Sequence, residues 1–186
     1  KDLIPVNKLL TLDKWVINQL HEVQAKILED YTQYAFHRVS QSLHNFCVVD
    51  MGGFYLDVIK DRLYTTKADS HARKSAQTVL YHTVESMVRW IAPILSFTAD
   101  EVWQFLPGNR TESVFLSEWY QLPEKSDTGV NWSVIDMVQQ AVAKALEVAR
   151  DEGVIGSSLD ACLTLYAEDE LSELFTSFGQ ELHFLF

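Results

Sequence analysis

Residues 54–65 read FYLDVIKDRLYT, and residues 87–106 read MVRWIAPILSFTADEVWQFL. The second stretch is an apolar helical pattern that Pro93 must end or kink, because proline cannot continue the helical hydrogen bonding. Thr98 and Glu101 then stand three positions apart, which is the spacing of a capping box at the start of a new helix. The two stretches therefore predict helices joined by short connections.

The same helical spacing of apolar residues extends outward from these two stretches. Helices of this length with one apolar stripe each pack as an antiparallel bundle. We therefore predict a mainly α protein whose residues 1–122 form a helical bundle. The predicted helices begin near Thr11, Phe36, Ser70 and Thr98, the second is interrupted at Gly52 and Gly53, and the last ends at Leu106.

The composition changes after the bundle. Residues 123–130 are predicted to be a linker, and residues 131–186 the start of a small α+β subdomain. In that subdomain ACLTLYA (161–167) and LHFLF (182–186) read as strands on either side of a short helix. Two strands are too few for a stable sheet. We therefore expect the subdomain to be incomplete and the chain to be part of a longer polypeptide.

The amino-acid composition excludes several classes of protein. Of the 186 residues 47% are hydrophobic and 22% charged, which is typical of a globular protein. Cys47 and Cys162 form no C-x-x-C pair, which favours a reducing compartment. No apolar run is long enough to span a membrane and no signal peptide is recognisable. We expect a cytoplasmic protein without a membrane partner.

No pattern in the sequence predicts catalysis or a metal site. The six histidines include no H-E-x-x-H or Glu-x-x-His pair, and no nucleophile elbow or phosphate-binding glycine loop occurs. We therefore predict no catalytic residues, no metal ligands and no cofactor within this chain.

The net charge of −11 is unevenly distributed. Residues 60–74 hold five cations against Asp61 and Asp69, so this window is +3 and the remainder of the chain is −14. Lysine and arginine bind phosphates, and aromatic rings such as those of Tyr55 and Tyr64 stack on unpaired bases. Composition alone favours a solvated loop with spare charges over an RNA-binding site. The five cations are Lys60, Arg62, Lys67, Arg73 and Lys74.

An ordered set of segments resembles the bacterial isoleucyl-tRNA synthetases, a class I family. The segments are LDKWVINQL (12–20), FYLDVIKDRLYT (54–65), APILSFTADEVWQ (92–104), VFLSEW (114–119) and ALEVARDEGVIGSSLDACLTLYAE (145–168). The resemblance covers nearly the whole chain and implies the helical bundle that holds the anticodon stem and loop of tRNA(Ile).

The resemblance also implies what the intact enzyme does and what this chain lacks. The intact enzyme would attach isoleucine to tRNA(Ile) with ATP, and would hydrolyse misattached valine in a separate domain. The catalytic signatures, the editing domain and the zinc segment of that family are absent from this sequence. The expected partners are therefore tRNA(Ile) and the remaining domains of the same polypeptide, with ATP and zinc bound only elsewhere.

The residues expected at the RNA follow from the same resemblance. Lys60 and Arg62 are expected to contact the RNA backbone or bases, and Lys14 and Asn18 to be exposed near the anticodon. Lys67, Arg73 and Lys74 are expected at stem phosphates. Two alternatives remain: the same domain of a valyl-tRNA synthetase, and a helical protein-interaction module whose basic segment binds an acidic partner.

Overall fold

The computed structural model describes residues 3–157 and 160–185. Across these ranges the regular structure is helical and contains no β-strand. The chain divides into two compact units between Thr128 and Gly129. In the described part of the chain, no helix combines the length and the apolar composition needed to cross a bilayer.

The first unit is the helical bundle that the sequence predicts. Helix α1 packs against α2 and α4, and α4 packs against both α3 and α5. Hydrogen bonds from Leu10 to Ser75 and from Tyr31 to the Trp90 carbonyl show that α1 and α4 run in the same direction. The helices are α1 (Thr11–Thr32), α2 (Phe36–Asn45), a π-helical segment (Phe46–Tyr55), α3 (Leu56–Tyr64), α4 (His71–Ile91) and α5 (Ser96–Phe105).

The two glycines of the second helix do not break it as predicted. The backbone stays helical but widens into the π-helical segment Phe46–Tyr55. A Cβ atom on Gly52 would lie 2.9 Å from the Cys47 carbonyl oxygen, and one on Gly53 would lie 3.1 Å from that of Val48. Both carbonyls are five residues earlier, so the missing side chains let the wide turn close on itself. Helix α3 therefore continues the same rod.

The ends of α4 are as predicted, whereas the start of α5 is not. The Ser70 side chain accepts a hydrogen bond from the Arg73 amide, and α4 ends at Ile91, two residues before Pro93. Helix α5 begins at Ser96, so Thr98 lies inside its first turn and the predicted capping box does not form. The tight turn after Ile91 brings the chain back into helical conformation earlier than the pattern indicated.

A buried ion-pair cluster joins α4 to the chain that follows α5. Glu85 has a side-chain exposure of 2%, and its carboxylate accepts hydrogen bonds from Arg89 at 2.8 Å and from Arg110. The two guanidinium groups lie over the Trp103 ring, at 4.7 Å and 4.6 Å from its centroid. Burial raises the pKa of Glu85, but hydrogen bonds from Arg110, Arg89 and Tyr81 outweigh burial and lower it overall.

Residues 120–126 lie along α1 and belong to the first unit. The side chains of Asn18, His21 and Gln24 bond the backbone of Ser126, Pro123 and Tyr120. Their spacing of three residues places all three on one face of α1. The first part of the predicted linker is thus fixed to the bundle.

The second unit contains α6 (Trp132–Asp151), α7 (Asp169–Phe178) and a 3-10 helix (Gly179–Phe184). The two predicted strands are wrong for the described residues. Residues 161–167 lack regular structure, since the described part of the unit offers them no strand to pair with. Residues 182–184 continue the 3-10 helix that follows the positive φ of Gly179, Leu185 is a turn, and Phe186 lies outside the described residues.

Candidate nucleic-acid interface

A buried polar network joins α1, α3 and α4 where the predicted site begins. The Arg62 guanidinium donates two hydrogen bonds to the Asp13 carboxylate, at 3.0 Å and 2.9 Å. Tyr55 donates to the same carboxylate at 2.7 Å, and the Ser75 hydroxyl is a further donor. Burial and the Asp13 charge raise the pKa of Tyr55 well above its usual value, so the phenol stays a donor.

This network buries Arg62, which the sequence places at the RNA, together with Tyr55. Their exposures are 1% and 0%, so neither side chain reaches the surface. Arg62 lies three residues after the buried Ile59 and therefore on the inner face of the same helix. Arg62 therefore holds the bundle together, and its side chain is not accessible at the surface of this structure.

The opposite face of α3 carries Lys60 and Tyr64. The Lys60 ammonium donates to the Asp57 carboxylate at 2.5 Å, and the exposures of the two side chains are 62% and 68%. The hydrogen bond and charge of Asp57, with smaller contributions from Asp61 and Tyr64, raise the pKa of Lys60. Tyr64 ends the helix and is 83% exposed. The Lys60 side chain is accessible to solvent, but the ion pair with Asp57 offsets its positive charge.

The three remaining cations lie on the connection to α4 and on its first turn. Lys67 is exposed, while Arg73 and Lys74 are half-buried. Arg73 donates to the Thr66 carbonyl at 3.3 Å, which fixes the connection against the helix. We use the name α3–α4 surface for Lys60, Tyr64, Lys67, Arg73 and Lys74.

The two residues predicted on α1 are less exposed than expected. Asn18 is half-buried, and its amide group bonds both the Ser126 carbonyl, at 2.8 Å, and the Ser126 amide, at 3.1 Å. Lys14 is also half-buried. Both side chains are only partly exposed, and for Asn18 the backbone of residues 120–126 covers the amide group. That the two residues lie near the anticodon stays a prediction.

The charge of this region is smaller than the sequence indicated. With Arg62 buried, residues 57–74 present four cations, Lys60, Lys67, Arg73 and Lys74, against three carboxylates, Asp57, Asp61 and Asp69. The formal charge of residues 57–74 is +2, and the side chains other than the buried Arg62 carry +1. A charge this small attracts phosphates only weakly.

Sequence reasoning missed Asp13 and Ser75 as the partners of Arg62. A signal was present: Asp13 stands at helical spacing from Val16, Ile17 and Leu20, all of them core residues. A carboxylate within an apolar stripe needs a buried partner, since an unpaired buried charge is very costly. Only the fold shows that Arg62 is that partner.

A comparison with known protein families gives a match that covers most of both units. Residues 13–165 match the family described as the anticodon-binding domain of tRNA ligase. This chain belongs to that family. The match includes both sides of the Asp13–Arg62 pair and the whole α3–α4 surface.

Individual relatives point to one amino-acid specificity. The chain is 51% identical over 188 residues to the isoleucine–tRNA ligase of Saccharophagus degradans, and 51% identical over 187 residues to that of Nitrosococcus oceani. It is 52% identical over 186 residues to that of Teredinibacter turnerae. These matches cover 98–99% of this chain but 20% of each relative. They favour the isoleucyl interpretation over the valyl alternative.

Proposed function

We propose that this chain is the anticodon-binding part of an isoleucine–tRNA ligase and holds the anticodon stem and loop of tRNA(Ile). The observation that carries the proposal is the family match over residues 13–165, together with relatives of that one specificity. The complete ligase would attach isoleucine to tRNA using ATP in the cytoplasm. ATP and zinc would be bound by its other parts, which are the chain's second partner.

The α3–α4 surface is the part of the bundle that suits this role. Lys67 lies on an exposed connection, and Lys74 follows in the first turn of α4. Amide groups in the first turn of a helix also favour anions, since they have no partner within the helix. Lysines beside such amides favour phosphates of an RNA stem, whose spacing is regular.

The inner network gives this surface a fixed shape. Asp13 binds α3 through Arg62 and α4 through Ser75, so the connection between the two helices is held at both ends. Fixed contacts cost less ordering entropy on binding than flexible ones. In the proposed function the buried cation therefore positions the exposed ones.

The test is steady-state kinetics of the full-length ligase that carries this chain. Replacing Lys67 and Lys74 together by Gln should raise the KM for tRNA(Ile) several-fold, because each lysine that neutralises a phosphate strengthens binding. Activation of isoleucine, measured by pyrophosphate exchange, should not change. The matched control is Lys26→Gln, an exposed lysine on α1. An unchanged KM for tRNA in the double variant would remove this surface from the interface.

A further inference from the structure

Tyr64 is the uncharged residue of the α3–α4 surface, and its side chain does not pack in the core. Its side chain is 83% exposed at the last position of α3. Other tyrosines of the bundle hold it together: Tyr31 donates to the Trp90 carbonyl at 2.6 Å, and Tyr55 to Asp13 at 2.7 Å. An aromatic ring of this size on the surface leaves much apolar area in water.

The neighbours of Tyr64 are cations on both sides along the chain. Lys60 lies one turn earlier on the same face, roughly 6 Å along the helix axis. Lys67 lies three residues later, on the exposed connection that follows the helix. An exposed ring with a lysine on either side along the chain offers a stacking face to a base and ammonium groups to the adjacent phosphates.

We propose that Tyr64 stacks on an unpaired base of the bound tRNA, with Lys60 and Lys67 at the phosphates on either side of that nucleotide. This inference rests on the proposed function, because it takes the bound polyanion to be tRNA. It makes Tyr64 an RNA-binding residue that discriminates an unpaired nucleotide from a paired one.

The charge of the surface supports a stacking contribution. Without the buried Arg62, residues 57–74 carry a charge of only +1, so phosphate attraction is weak, and the carboxylates of Asp57 and Asp61 on the same helix oppose it. Stacking needs no net charge and is tolerant of the base identity. A paired base cannot reach the ring, since its faces are covered within the duplex.

The experiment compares three variants of the full-length protein by equilibrium binding to a tRNA(Ile) transcript. Tyr64→Leu removes the ring but keeps an apolar side chain, and Tyr64→Phe keeps the ring. The matched control is Tyr34→Leu, because Tyr34 is 80% exposed and lies at the start of the α2–α3 rod, roughly 40 Å from Tyr64. Thermal unfolding of each variant verifies that it is folded.

The proposal expects roughly tenfold weaker binding for Tyr64→Leu, and wild-type binding for Tyr64→Phe and Tyr34→Leu. It also expects that a fully paired RNA duplex of equal length binds Tyr64→Leu and the wild type equally. Wild-type affinity of Tyr64→Leu for tRNA(Ile) would overturn the stacking role, as would an equal loss on tRNA and duplex. A wild-type protein that fails to bind the transcript would instead overturn the proposed function itself.

A protein partner at the same ring gives a different result. In that case Tyr64→Leu would bind tRNA like the wild type, while cross-linking through a photoreactive residue at position 64 would capture protein and no RNA. That pair of results would overturn the proposal. Cross-linking of position 64 to an unpaired nucleotide of the transcript would support it.

Discussion

The inner and outer faces of α3 carry the same kinds of side chain in opposite roles. Arg62 points inward, is 1% exposed and bonds Asp13, whereas Lys60, two residues earlier, is 62% exposed and pairs with Asp57. Tyr55 and Tyr64 differ in the same way, with exposures of 0% and 83%. The position of a cation in the helical period, more than its charge, therefore decides whether it is accessible to RNA.

The energies on the two faces differ as much as the exposures. Removing one partner of a buried pair leaves the other charge uncompensated, which costs about 3–5 kcal/mol. Solvent screens the pair on the outer face, where two long side chains also lose freedom by pairing. Changes on the inner face should therefore act on folding, and changes on the outer face on binding.

The largest expected effect is on the inner face. Asp13→Ala removes the acceptor for Arg62, Tyr55 and Ser75 together. We expect the free energy of unfolding to fall by about 3–5 kcal/mol in urea denaturation, because the Arg62 charge stays buried. Asp61→Ala, at an exposed carboxylate on α3, is the control and should leave the denaturation midpoint unchanged. A decrease below about 1 kcal/mol for Asp13→Ala would show that the inner network contributes little.

Lowering the pH should reduce the free energy of unfolding through buried groups of the bundle before it affects the outer face of α3. Burial lowers the pKa of His82 from 6.5, so the unfolded chain takes up this proton first and stability falls as the pH drops below 6.5. The lowered pKa of Glu85 adds a second decrease below pH 4.5. Unfolding measured from pH 7 to 4 should show both, and His82→Gln should flatten the first. An unchanged slope between pH 7 and 5.5 in that variant would contradict the assignment.

The salt dependence of RNA binding separates the two faces directly. Each phosphate contact contributes about 0.7 to 0.9 to the slope of log affinity against log salt. Lys67→Gln with Lys74→Gln should therefore reduce the steepness by about 1.5, as measured by filter binding of tRNA(Ile). Arg62→Met, on the inner face, should lower stability but leave the slope unchanged in the folded protein. Equal slopes for the wild type and the lysine double variant would exclude both phosphate contacts.

The smallest effect is expected at the outer ion pair. Asp57→Asn removes a negative charge beside Lys60 and frees its ammonium group for a phosphate. We expect tRNA(Ile) to bind about twofold tighter at low salt, and this gain should disappear as salt screens the charges. Weaker binding in this variant would mean that Asp57 itself contacts the RNA, which would reverse the account of the outer face.

The bundle was predictable because its apolar stripes and helix breaks are local signals. The starts at Thr11 and Ser70 and the end before Pro93 are confirmed. The predicted strands do not form in the described residues 161–167 and 182–185, because an apolar run of that length fits a strand or a helical turn equally well. The π-helical widening at Gly52 depends on a carbonyl five residues earlier, which no pattern of hydrophobicity records.

The sequence predicts which residues belong to the candidate site, but it does not predict which of their side chains are exposed. Lys60 and Lys67 are exposed, as an RNA contact requires, whereas Arg62 and Asn18 are engaged by Asp13 and by the Ser126 backbone. Those partners lie 49 and 108 residues away along the chain. Pairings at such separations follow from the packing of the helices and not from the local sequence.

Lysine footprinting of the full-length protein shows whether the α3–α4 surface contacts tRNA. Acetylation by a dilute reagent, followed by mass spectrometry, reports each lysine with and without saturating tRNA(Ile). We predict that Lys60, Lys67 and Lys74 become protected, while Lys26 and Lys144, both exposed, react unchanged. Unaltered reactivity of Lys60, Lys67 and Lys74 in the tRNA-bound protein would exclude the α3–α4 surface from the interface.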